Sequence, residues 1–149
     1  MSAETNRKIL VVDDELDTRI FLMNLLNASG FLPFAAENRT EGYRLALTKK
    51  PSVIILNMTM AGKDGIRLYR RLKSEGNLRQ IPVIMLSTLD QETFLKCRTL
   101  YGVTQRVMFE GQDKFMEKPP EADDLIAMIR ELSGRSRVLP NVQVPDTKE

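Results

Sequence analysis

An α/β fold, a doubly wound parallel sheet of five strands covered by helices on both faces, is what this sequence predicts, and three observations carry it. Short apolar runs alternate with helix-patterned stretches five times along the chain. The runs are almost continuously apolar, as strands buried on both faces are. The alternation ends after about Leu132, so the 149 residues accommodate one compact unit.

Taken in order, Ile9 to Val12 is the first strand, closed by Asp13 and Asp14. Leu16 to Ala28 has helical spacing and stops at Gly30, a natural C′ residue. Phe31 to Ala36 reads as the second strand, and Thr40 to Lys49 as a helix ended by Pro51. Val53 to Leu56 is the third strand, and a Gly-containing loop, Met58 to Asp64, leads into a helix from Gly65 to Ser74. Pro82 opens the fourth strand, Val83 to Leu86, and Gln91 to about Tyr101 is a helix. Phe115 to Glu117 is the fifth strand, and Ala122 to Leu132 a helix with Leu125, Met128, Ile129 and Leu132 on one face. The expected organisation is a disordered N-terminus at 1–7, a domain at 8–133 and a flexible tail at 134–149.

Composition removes several chemistries. With no histidine, His-based triads, most zinc sites and phosphohistidine are excluded. No Trp and 6% aromatics leave no platform for stacking bases, and a net charge of +2 does not imply nucleic acid. The basic stretch Arg67, Arg70, Arg71, Lys73 reads as a solvated helix face. Cys97 is the only cysteine, no secretory signal opens the chain, and no apolar run could cross a bilayer; a cytoplasmic protein without a membrane partner is expected.

In a doubly wound sheet, ligands bind beyond the carboxyl ends of the strands. Those ends carry Asp13-Asp14, Asn57, Ser87-Thr88 and Lys118-Pro119, so two carboxylates, an amide, two hydroxyls and an ammonium share one rim. Read residue by residue, the acids could cap the first helix, Ser87 could be a turn hydroxyl and Phe115 a core residue. A hard cation such as Mg²⁺ would nevertheless suit adjacent carboxylates, and with an ammonium it would stabilise a phosphoryl group in transfer.

The runs Ile9 to Glu15, Val53 to Met58, Asp64-Gly65, Pro82 to Ser87 and Lys118-Pro119 resemble the receiver domains of bacterial response regulators, over roughly Lys8 to Leu132. The resemblance implies a flavodoxin-like (βα)5 fold with strand order 2-1-3-4-5. It implies Mg²⁺ held by Asp13, Asp14 and the backbone carbonyl of Thr59. It implies Ser87 as the hydroxyl that contacts a phosphoryl group, Lys118 as its cationic partner and Phe115 as the switch aromatic. It also places Phe21, Leu22, Leu25 and Leu26 against the sheet, leaving Leu16, Ile20 and Met23 as an outer apolar stripe that suits a partner or a homodimer.

Asn57 departs from the pattern where the phospho-accepting aspartate would stand. An amide is a poor nucleophile, and the charge of Asp13, Asp14, residue 57 and Lys118 is −1 instead of −2. Ala61 and Pro120 depart as well, and the connection between the fourth and fifth strands is long by about nine residues, roughly two and a half helical turns. Within it, Tyr101 to Glu110 is too apolar for an idle loop.

The expected function is that of a stand-alone receiver-like signalling module, not an enzyme, acting through a protein partner (a sensor kinase or an output protein) without aspartyl phosphorylation. An ordinary phosphorylatable receiver with Asn57 an engineered or erroneous substitution is the alternative. A small flavin- or nucleotide-binding enzyme is a remote one, because Asp13-Asp14-Glu15 would repel phosphate where such a protein needs backbone N–H groups.

Overall fold

The computed structural model describes residues 7–89 and 112–138. Its strands are β1 (Lys8–Val12), β2 (Leu32–Ala36), β3 (Val53–Asn57), β4 (Val83–Ser87) and β5 (Lys114–Glu117). Its helices are α1 (Leu16–Ala28), α2 (Arg39–Lys49), α3 (Asp64–Ser74) and α4 (Ala122–Val138), with a 3₁₀ turn at Ala61–Lys63. The strands form one parallel sheet in the order β2-β1-β3-β4-β5, as the family resemblance implied. The expected helix Gln91 to Tyr101 and the insertion Tyr101 to Glu110 lie outside the described residues.

The continuity of the apolar runs has a direct cause. Ile9 and Val11, Val53 and Ile55, and Ile84 and Leu86 pack with Leu22 and Leu26 of α1 and Leu125, Ile129 and Leu132 of α4. The intervening Leu10, Val12, Ile54, Leu56, Val83 and Met85 pack on the opposite face with Leu45, Ile66, Leu68 and Leu72 of α2 and α3. Successive side chains of a strand point to opposite faces, so both phases must be apolar.

The boundary at Gly30 is a paired helix stop. Phe31 N donates to Leu26 O at 3.0 Å and Gly30 N to Asn27 O at 3.2 Å, with Gly30 at φ 91°. This is the Schellman arrangement, and Phe31 then packs in the same apolar cluster as Leu26. That hydrogen bonding explains why β2 begins at Leu32 and not at Phe31. Helix α2 begins one residue earlier than expected because the Asn38 side chain accepts from Glu41 N at 2.8 Å and caps it.

Five expectations are corrected. Phe21 is 44% exposed, not packed on the sheet. Leu22 and Leu26 already define the inward face, and Phe21, turned about 100° from Leu22, joins the exposed Leu16 and Ile20. Met23 is half-buried, so the outer apolar surface of α1 is Leu16, Ile20 and Phe21. Lys73 is not on the solvated face of α3; Arg67, Arg70 and Arg71 are exposed, whereas Lys73 is buried. The domain does not stop at 133, because α4 runs through Gly134 to Val138, an interior glycine costing a helix only about 1 kcal/mol. Arg7 is part of the fold: its guanidinium donates to Ser133 Oγ at 2.8 Å, and its carbonyl accepts from Leu32 N at 2.9 Å. Among the described residues, no helix is long and apolar enough to cross a membrane.

Candidate functional site

The sheet register brings the expected rim residues together. Val12 pairs with Leu56, Asn57 with Leu86 and Ser87 with Glu117, so Asp13, Asn57, Ser87 and Lys118 arrive at one edge. Close packing fixes the middle of this edge. A Cβ at Gly65 would lie 2.1 Å from the Asn57 carbonyl oxygen, so only glycine lets α3 start against β3. That contact gives the Asp64-Gly65 pair its physical reason.

Asn57 is buried, and its amide has one orientation. Nδ2 donates to Asp13 Oδ1 at 3.2 Å. Oδ1 accepts from Thr59 N at 3.0 Å and from Thr59 Oγ1 at 2.9 Å. Reversing the amide would set its oxygen against the Asp13 carboxylate and its NH₂ against the Thr59 N–H. Residue 57 therefore points a donor at the acidic pocket, where a carboxylate would present an anionic oxygen.

Asp13 is the hub. Its Oδ1 also accepts from Glu15 N at 2.9 Å, so part of its work is the turn-capping role open to it from sequence, and its carbonyl accepts from Arg19 at 2.8 Å. Lys118 Nζ lies 2.9 Å from Asp13 Oδ2, an ion pair without the alignment of a good hydrogen bond. The same ammonium donates to Glu15 Oε1 at 2.5 Å, and Thr18 Oγ1 donates to that oxygen at 3.1 Å. Burial alone would lower the Lys118 ammonium, but its contacts with Glu15 and Asp13 outweigh this and raise it. Glu15 is held below the ordinary carboxylate value by its hydrogen bond from Lys118 and by that residue's charge.

A cleft of about 320 Å³ opens above these groups, lined by Asp14, Glu15, Asn57, Thr59, Thr88 and Lys118. Asp14 is exposed and accepts from Ala61 N at 3.3 Å. Ser87 is fully buried; its hydroxyl accepts from Leu89 N at 3.0 Å and its carbonyl from Lys118 N at 2.7 Å. Of the adjacent Ser87 and Thr88, it is Thr88 that lines the cleft, together with Thr59. Phe115 is half-buried against the α2/α3-side core. Glu15 was missed as a rim residue, although its place beside Asp14 was the available signal.

Asp13 and Asp14 offer the hard oxygen donors that a divalent cation takes, and Asp13 Oδ2 is a buried acceptor without a well-aligned donor. The residues thus fit such an ion in part. Among the described residues no group of three or more acidic, His or Cys side chains is placed to hold a metal, and the amide of Asn57 points its donor toward Asp13.

A second polar cluster lies at the other end of the sheet and was not read from the sequence. Lys73 Nζ donates to Asp113 Oδ1 at 2.9 Å, to Arg79 O at 3.1 Å and to Ile81 O at 3.0 Å. Tyr69 OH donates to Asp113 Oδ2 at 2.6 Å, and Val83 N to Asp113 Oδ1 at 2.8 Å.

The fold and its acidic rim define the class: a doubly wound α/β domain with a cleft at the carboxyl ends of its strands. The chain belongs to the response regulator receiver domain family, whose model matches residues 9–130. It is 31% identical over 122 residues to the protein PilH of Pseudomonas aeruginosa, covering 82% of this chain and 93% of PilH. It is 29% identical over 130 residues to the phosphate regulon transcriptional regulatory protein PhoB of the same organism, covering 87% of this chain and 53% of PhoB. The chain therefore spans about half the length of PhoB. Among solved structures, the signal receiver domain of a signal transduction histidine kinase from Syntrophus aciditrophicus superposes with a TM-score of 0.72 at 26% identity, covering 92% of this chain and 97% of that one. The receiver domain of a Pseudomonas aeruginosa sensor histidine kinase, solved with magnesium coordinated in its active-site cleft, shares the fold at a TM-score of 0.71 and 18% identity, covering 87% and 99%. The chain is a receiver module of bacterial two-component signalling, a family whose members interact with kinases and output domains.

Proposed function

We propose that this receiver works through protein–protein contacts and does not form an aspartyl phosphate at position 57. The observation that carries the reading is the Asn57 amide, which donates to Asp13 and has its oxygen held twice by Thr59. A neutral amide in that position has no anionic oxygen with which to attack phosphorus. The exposed Leu16, Ile20 and Phe21 on α1 offer apolar area for a kinase or output-protein partner. Mg²⁺ binding, weakened by the loss of one carboxylate, would be the work of Asp13, Asp14 and the Thr59 backbone carbonyl.

The test is intact mass after incubation with Mg²⁺ and acetyl phosphate. No stable gain of a phosphoryl group is expected, and a hydroxylamine-labile gain overturns the proposal. A second reading, a phosphorylatable receiver in which residue 57 was substituted by engineering or error, is favoured by the pairing of Lys118 with Asp13 beside position 57. Under that reading Asn57→Asp becomes phosphorylated at a rate ordinary for receivers, whereas an inert Asn57→Asp protein removes it.

A further inference from the structure

We infer that the α2–α3 face of this receiver docks on the acidic rim ends of α1 and α4 of a second copy of the chain, a head-to-tail contact made by charge. This contact lies outside the site at position 57 and stands whether or not that residue accepts a phosphoryl group.

Charge is segregated in this molecule. From Asn38 to Gln80 there are ten Lys and Arg against three Asp and Glu, a net +7, while the whole chain carries +2, so the remaining residues sum to −5. The positive stretch belongs to one layer, because α2 and α3 cover one face of the sheet and α1 and α4 the other. Each acid of that layer is already engaged by an arginine: Asp64 by Arg39 at 3.4 Å, Glu41 by Arg44 at 3.6 Å and Glu75 by Arg71 at 2.9 Å. Lys63 and Arg67 are exposed beyond these pairs, about one turn apart at the amino end of α3. Cations there oppose the helix dipole, and Arg67, Arg70 and Arg71, at i, i+3 and i+4, repel one another. The helix gains nothing from these cations by itself, whereas a carboxylate-bearing partner would gain from them. Arginine suits such a partner because its fork takes a carboxylate through two hydrogen bonds.

A matching surface exists on the same chain. Residues 13–18 and 121–124, at the rim ends of α1 and α4, hold seven acids and no Lys or Arg. Asp14, Asp17, Glu121, Asp123 and Asp124 are exposed, and the nearby Lys118 is occupied with Asp13 and Glu15. Acids at helix starts favour the dipole, so their presence alone indicates no partner. Their relation to the opposite layer does. The two surfaces lie on opposite sides of the sheet and cannot meet within one molecule. Two α2–α3 faces would repel each other, so the contact joins unlike surfaces and can extend from copy to copy. The bracing of α3 by the Gly65 contact and by Asp113 holds its cations in place before docking. Nucleic acid fits this face less well, because α2 and α3 pack side by side and are together wider than a major groove of about 12 Å.

Sedimentation velocity over a concentration series tests this on the full chain, on Lys63→Glu/Arg67→Glu and on Asp123→Lys/Asp124→Lys, with circular dichroism to show that each is folded. The first variant places acids at the amino end of α3, which suits the helix, so its fold is kept. The parent should self-associate at low ionic strength and return to monomer at high ionic strength. Each variant alone should associate about tenfold more weakly, the scale of two screened charge pairs. An equimolar mixture of the two should recover the parent's strength but stop at a one-to-one complex, because each variant keeps one competent surface. A parent that is monomeric at low ionic strength overturns the inference, and binding of an oligoglutamate peptide or of a short DNA duplex would then assign the face to that other partner. Association that survives high salt, or that Lys63→Glu/Arg67→Glu retains in full, overturns it in favour of an apolar contact. A mixture that forms no complex shows that the two surfaces do not meet, and overturns it as well. If the Asp123→Lys/Asp124→Lys protein does not fold, the parent's salt dependence and the α3 variant decide the matter.

Discussion

Two lysine–carboxylate pairs sit at opposite ends of the sheet under different constraints. At the amino end, Lys73 and Asp113 have side-chain exposures of 7% and 0%, and their polar atoms are taken up by Tyr69, Val83 N and two backbone carbonyls. At the carboxyl end, Lys118 pairs with the buried Asp13, but its second partner, Glu15, faces an open cleft. The first pair has every charge answered and no ligand to admit. The second has a surplus of acceptors and one amide whose direction decides what can enter. A closed network is hostage to each of its members, whereas an open one can substitute water or an ion for a lost partner.

The comparison breaks most visibly on removing one carboxylate from the closed pair. Asp113→Ala leaves a buried ammonium unpaired and should cost about 3–5 kcal/mol in urea unfolding, with Lys73→Met/Asp113→Leu recovering most of it. A loss below 1 kcal/mol would mean that Lys73 escapes to water and that the two ends are alike. Lys118→Ala should cost less than Asp113→Ala, because Lys118 lines the cleft and its truncation lets water take the place of the ammonium beside Asp13.

A finer test is where each carboxylate titrates. Asp113 is pushed above the ordinary aspartate value by burial, which outweighs Lys73 and Tyr69, whereas Glu15 is held below the usual value by Lys118. On acidification Asp113 should therefore take up its proton above the ordinary aspartate value and Glu15 below the ordinary glutamate value, as followed by carboxyl carbon shifts. The contributions to stability have opposite signs. Glu15 adds stability above its unfolded value, and that stability is lost as pH falls through its lower native value. The native state binds the Asp113 proton more tightly than the unfolded chain does, so that group's contribution grows as pH falls through the window between its native and unfolded values. An Asp113 that titrates below the ordinary aspartate value would show that the Lys73 pairing dominates burial.

Much of the fold was legible because it depends on local and periodic signals. Strands apolar in both phases, such as Val53 to Leu56, announce burial on two faces, and Gly30 announces a helix stop. The rim was legible because Asp13, Asn57, Ser87 and Lys118 each end a strand. What escaped was pairwise and distant. Lys73 and Asp113 are 40 residues apart, so Lys73 looked like one more charge on a solvated helix. The link between Arg7 and Ser133 spans 126 residues and made the N-terminus look loose. Phe21 failed for a smaller reason: helical spacing places two neighbouring faces within one turn, and only the packed sheet selects between them.

The tight contact at Gly65 has a mechanical meaning. Helix α3 begins against the carbonyl of Asn57 at the rim, and through Tyr69 and Lys73 it is bolted to Asp113 at the floor of the domain. Its 11 residues, about 16 Å of rise, make it a strut braced at both ends. A strut of this kind does not tilt to follow what happens in the cleft. A rearrangement set off at the rim should therefore move the exposed Arg67, Arg70 and Arg71 surface of α3 less than it moves elements that lack such bracing.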